Sequence, residues 1–205
     1  MDNNEVLLKP IRTRVDAVMM ATVVFLFLVT VVLGLFYDQL SLSLAIGIPA
    51  LIIPFLVWRA LKGTLVSRLS MASALIIQIA IQIQISHGLI EMHFGLFVVL
   101  AFLLAYRDWR PIVFGAALIA TQHLVGNFLQ ASQLDVWIFH DGESFGIVLL
   151  HAAYVVFESV ILVYLAVQLR MEGIESAKVA LMAERITQGD LNYHIEVDHQ
   201  SESSG

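Results

Sequence analysis

The chain has 205 residues, 59% of them hydrophobic, and a mean hydropathy of +0.85. That composition excludes an ordinary soluble domain and calls for lipid. Cysteine is absent and the formal net charge is −6. Disulfides and thiolate metal sites are therefore excluded, and any metal must use His, carboxylate or weaker ligands.

Residues 1–15 are polar, and the apolar run that follows is long enough to span a membrane rather than act as a cleavable signal. Six apolar stretches predict spanning helices, at about 1.5 Å per residue across a core of roughly 30 Å. They lie near 17–37, 41–61, 69–88, 89–106, 111–131 and 145–169. Pro49 and Pro54 predict a kink in the second helix, which membrane helices tolerate. The link at His87-Gly88-Leu89 is short, so the third and fourth helices form a tight hairpin. Trp58, Trp109 and Trp137 fall near span ends, as interfacial aromatics do. The predicted fold is all-α: a polytopic membrane protein, a six-helix transmembrane bundle with its last helix extended into the cytoplasm. Residues 1–16 form a cytoplasmic lead, 17–169 the bundle and 170–205 the extension.

Orientation follows from the bases. Lys9, Arg12 and Arg14 precede the first helix, and Arg59, Lys62 and Arg68 flank the second loop. Arg107 and Arg110 flank the fourth loop, and Arg170, Lys178 and Arg185 follow the sixth helix. These are all 11 bases of the chain, on one side, which the positive-inside rule makes cytoplasmic. Both termini are then inside. The outer segments carry Asp38, Glu91, Asp135, Asp141 and Glu143 and no base. Tyr106-Arg107-Asp108-Trp109-Arg110 reads as an interfacial anchor, or alternatively as a contact with the extension beyond the sixth helix.

Residues 170–188 stay helix-compatible, with Ile174, Ala177 and Leu181 at helical spacing, and Gly189 ends the helix. The polar tail to Gly205 has no core of its own and reads as a chain cut within a domain. The run Ala183-Glu184-Arg185-Ile186-Thr187-Gln188-Gly189-Asp190-Leu191, followed by Ile195-Glu196-Val197-Asp198, resembles the second half of a HAMP linker. The proline common near the start of such a unit is missing after Arg170. A shortened unit, or a sixth helix running straight into it, would account for that. The segment from Gln84 to Asn127, with H-x-x-x-E-x-H-F and Tyr106-Arg107-Asp108-Trp109-Arg110, resembles the multi-span input regions of bacterial methyl-accepting chemotaxis proteins. The resemblance implies a dimeric receptor in the bacterial inner membrane, with a kinase-coupling domain downstream. Expected partners are the lipid bilayer, a second copy of the chain and that signalling domain, and no nucleic acid.

The candidate site is a set of ionisable residues at membrane depth, where each is expensive unless paired. His87, His93, His123 and His151 stand on four different apolar segments, with Glu91 and Glu158 beside them. Counting up from the bases at about 1.5 Å per residue puts His87 and His151 roughly 28 Å from the cytoplasmic side, and His93, His123 and Glu158 about 18–21 Å from it. An outer pair, His87 and His151, and an inner pair, His93 and His123, are therefore expected, with Glu91 between the levels. Gln78 and Gln82 share a face of the third helix, which is expected to be central. His140 is expected in the outer loop, and His194 and His199 in the tail, apart from the site.

Two imidazoles from different helices suit haem b, with Gly88, Gly95, Gly115 and Gly126 as candidates to make room for the porphyrin. Three or four His and carboxylate ligands suit a bare copper, zinc or iron ion instead. Haem b is the first choice and a bare ion the second. A proton-responsive or purely structural polar network is the third. The leading function is a non-enzymatic sensory input module responding to redox state, a diatomic gas or metal occupancy. A membrane haem or di-metal oxidoreductase is the alternative. A transporter is disfavoured, because the two halves show no repeat and the first two helices lack polar groups.

Overall fold

A chain this apolar must satisfy its backbone hydrogen bonds within each segment, which helices do. The computed structural model describes residues 3–140 and 145–188, and no strand occurs among them. The helices are α1 (Asn3–Phe36), α2 (Leu40–Ala60), α3 (Leu65–Ile85), α4 (Ile90–Phe102), α5 (Trp109–Ala131) and α6 (Phe145–Thr187), with a 3-10 turn, Leu103–Tyr106, after α4. Five of them are long and apolar enough to cross a membrane; the exception is α4, which falls short even with its 3-10 turn. Many large apolar side chains face outward, including Phe25, Ile53, Phe128 and Phe157. An outer surface of that kind belongs in lipid.

The structure adds detail to several expectations. Helix α1 begins within the polar lead, at Asn3, and runs through Pro10 into the first apolar run. Leu8, Arg12 and Asp16 are buried against the bundle. Helix α2 continues through both Pro49 and Pro54. Helix α3 is central, packing against α1, α2, α4 and α5. Gln78 and Gln82 share one face there, both hydrogen-bonded to Thr30 of α1. Helix α6 runs unbroken for 43 residues, so the stretch after Arg170 is one helix with the sixth span. The HAMP-like run is helical to Thr187. Its remainder from Gly189, together with His194, His199, Asp141 and Glu143, lies outside the described residues.

The α3–α4 hairpin is as tight as its sequence implies. His87 and Gly88 both take positive φ, 56° and 76°. The Gly88 N–H closes on the Ile83 carbonyl at 2.9 Å, which terminates α3. A Cβ on Gly88 would meet the Phe139 carbonyl carbon at 2.5 Å, so glycine is required there for space as well as for φ.

Candidate metal centre

Three imidazoles meet in the half of the bundle away from the bases. His93 of α4, His123 of α5 and His151 of α6 have ring centres 5.4 Å (93–123), 5.5 Å (93–151) and 5.5 Å (123–151) apart. His93 and His123 are almost fully buried, at 2% and 3% exposure, while His151 is partly exposed. Each ring is tied to its own helix. Nδ1 lies 3.1 Å from the Leu89 carbonyl in His93, 3.0 Å from Ile119 in His123 and 2.9 Å from Ile147 in His151. A carbonyl oxygen only accepts, so Nδ1 carries the proton in all three. Nε2 is then a bare lone pair in each neutral ring, the form in which imidazole binds metals. The Nε2 atoms of His93 and His123 are buried without a hydrogen-bond partner. The rings are gathered but not closed on a common point. Among the described residues, no group of three or more His, Asp or Glu already stands at metal-holding geometry.

A loop from the far end of the bundle caps this triad. Phe139 lies 6.0 Å from the His93 ring and parallel to it, 5.7 Å from His151 and 6.2 Å from His123. Two glutamine amides hold the loop. Gln130 accepts from the Ile138 and Phe139 N–H groups at 2.9 and 3.1 Å and donates to the Phe139 carbonyl at 2.7 Å. Gln84 accepts from the Trp137 N–H at 2.9 Å and donates to the Asp135 carbonyl at 3.1 Å. Ile138 presses on Gly126, where a Cβ would sit 2.4 Å from its Cδ1. Phe139, Gln130 and Gln84 were not foreseen as site residues. No periodicity marks a side chain that grips loop backbone, although an amide in the last turn of an apolar helix is a visible cue.

The triad lines a cavity of about 490 Å³ between α4, α5 and α6. Its wall is apolar, and Ala116, Ala120 and Ala152 leave the space.

The structure regroups the predicted levels as three and one. His151 joins His93 and His123. His87 stays in the hairpin, its ring edge-on to Trp137 at 5.2 Å and to Tyr37 at 6.3 Å, with no ring contact to another histidine among the described residues. Glu91 is exposed in the first turn of α4, where a carboxylate suits the helix dipole. Glu158 is half-buried on α6, with Oε2 unpartnered, two turns or roughly 10 Å along the axis from His151. His140 is exposed and hydrogen-bonds the His87 carbonyl at 3.3 Å. The four glycines proposed to admit a porphyrin are filled by protein: Phe139 against Gly88, Ile79 against Gly95, Ile76 and Leu100 against Gly115, and Ile138 against Gly126.

At the basic end, a charge network joins α1, α3, α5 and α6. Glu5 accepts from Arg12, from Arg110 at 3.1 Å and from Arg170 at 3.3 Å. Asp108 caps α5 through the Arg110 N–H, receives the Arg110 Nε at 2.9 Å and pairs with buried Arg68 at 3.2 Å. Burial acts to raise the Asp108 carboxyl, but the Arg110 hydrogen bonds and the Arg68 charge outweigh it and hold the group below the usual carboxylate range. Tyr106 is fully buried and donates to Asp16 at 3.0 Å, so it is a packing residue rather than a headgroup anchor. Arg107 donates to the Leu169 carbonyl of α6 at 3.4 Å, so the turn does touch the extended helix.

No protein-family model, curated protein or solved structure matches the chain.

Proposed function

We propose that this chain is the membrane-embedded sensory input module of a chemoreceptor-type signal transducer. A metal centre at His93, His123 and His151 receives the stimulus, and α6 carries the change out of the bundle. The observation that carries this reading is the double membership of α6. It brings His151 to the triad and continues without a break past Arg170 to Thr187. A stimulus that shifts His151 relative to His93 and His123 moves a rigid element whose far end leaves the bundle, a physical two-state lever.

The rest of the reading follows from the bases and the resemblance. The basic end faces the cytoplasm of a bacterial cell, all six helices lie in or across the inner membrane, and the extension of α6 enters a HAMP-like linker. A homodimer then presents two such linkers to a kinase-coupling domain.

The test is a fusion of residues 1–205 to the output half of a HAMP-containing histidine kinase. His151→Ala should abolish the response to metal addition or removal while leaving the amount of membrane-inserted protein unchanged. An unaltered response in that variant would sink the proposal.

A further inference from the structure

The spacing of the three imidazoles points to one bare ion rather than a haem. From it we infer a trigonal site for monovalent copper on the Nε2 atoms of His93, His123 and His151, with a fourth position open to the apolar chamber. The inference rests on the sensory reading only for its biological role, since the coordination argument is independent of it.

The geometry discriminates between the two. An ion about 2.0 Å from Nε2 lies about 3.1 Å from the ring centre, so three imidazoles spread evenly in a plane around it have centres about 5.4 Å apart. The observed separations are 5.4, 5.5 and 5.5 Å. A bis-imidazole haem instead needs two rings on opposite sides of the iron, with centres about 6.2 Å apart and a porphyrin filling the plane between them. A third ring equidistant from both would occupy that plane. The four glycines are packed against neighbouring side chains and so make no room for the macrocycle themselves.

Charge selects among the ions. The three donors are neutral, and among the described residues no carboxylate joins them: Glu91 is exposed and Glu158 is two turns away. The solvation cost of burying an ion rises as the square of its charge, so a monovalent ion costs about a quarter of a divalent one of the same size. Imidazole suits copper and zinc alike. Among neutral donors in an apolar wall, the lower charge favours Cu(I). Closing the shell requires Nε2 to converge by ring rotation, while the Nδ1 bonds to Leu89, Ile119 and Ile147 keep the tautomer. Phe139 blocks one side of the ligand plane. All three histidines line the cavity of about 490 Å³, through which a small neutral ligand that partitions into lipid, such as a diatomic gas, can reach the metal.

The experiment uses the purified chain in lipid nanodiscs, anaerobic and with ascorbate, titrated with Cu(I) against a colorimetric Cu(I) chelator. One equivalent of copper should bind. His87→Ala should leave its affinity within threefold, and His151→Ala should weaken it at least tenfold. His151 is the partly exposed member of the triad, and far-UV circular dichroism of its variant checks the fold. Carbon monoxide should add one infrared band to the copper-loaded protein and none to the apoprotein. Copper binding that survives His151→Ala, tighter retention of zinc than of Cu(I), or no carbon monoxide band would overturn the site. A Soret band in the purified protein would also overturn it and leave the sensory reading standing. Normal copper binding with unaltered signalling in the His151→Ala fusion would do the reverse.

Discussion

At the scale of single residues, the site depends on groups that hold the loop 132–140 as much as on the imidazoles. Gln130 satisfies three backbone groups of that loop with one amide. Replacing it by Leu removes all three partners from a buried position, and each orphaned group costs about 1–3 kcal/mol. Gln130→Leu should therefore release Phe139 from the triad, seen as faster amide exchange at Ile138 and Phe139, with the helices intact. Gly88→Ala meets both a positive φ and a 2.5 Å approach to the Phe139 backbone. It should lower stability by about 2–3 kcal/mol in reversible detergent unfolding, mainly by forcing the hairpin and the loop apart. The histidines were legible because ionisable groups stand out in an apolar sequence. The clamp was not, because a glutamine beside a loop looks the same whether it faces water or backbone.

At the scale of helices, counting upward from the arginines located the site region but paired His151 with His87 rather than with His93 and His123. The count assumes straight, parallel helices with a uniform rise. The Leu103–Tyr106 segment is a 3-10 turn, which rises about 2.0 Å per residue and so lifts His93 by about 2 Å, part of the roughly 7 Å between the two counted levels. His87 sits past the end of α3 in a left-handed turn, where the helical count no longer applies. The central place of α3 was legible from its polar residues on several faces, and Gln78 and Gln82 do bind α1. The partners of the basic end were hidden, because Glu5 meets residues 105 and 165 positions away. That network yields a pH prediction. Asp108 is held below the usual carboxylate range, so its contribution to stability is fully present above the unfolded value of about 3.9. It is lost as pH falls through the lower folded value. The wild type should exceed Asp108→Asn by about 2 kcal/mol between pH 5 and 7, and the gap should close below about pH 4, read by denaturant unfolding at each pH.

At the scale of the whole molecule, three helices each bring one imidazole to a shared cluster, and one of the three, α6, also runs on past the bundle. The apolar runs made the helical class readable from composition, since lipid admits few alternatives. Helix packing was not readable, because side chains facing lipid and side chains facing protein are equally apolar. The fate of the glycines shows this: four positions that could have lined a porphyrin slot are filled by neighbouring aliphatic and aromatic residues. The proposed centre is a metal held jointly by α4, α5 and α6. Its most direct test is elemental analysis of the protein purified from metal-supplemented membranes, wild type beside His151→Ala and His87→Ala. The expected result is one equivalent of metal in the wild type and in His87→Ala, and substoichiometric metal in His151→Ala, because removing one of three ligands weakens the site. Equal metal in all three proteins, or none in any, would contradict it.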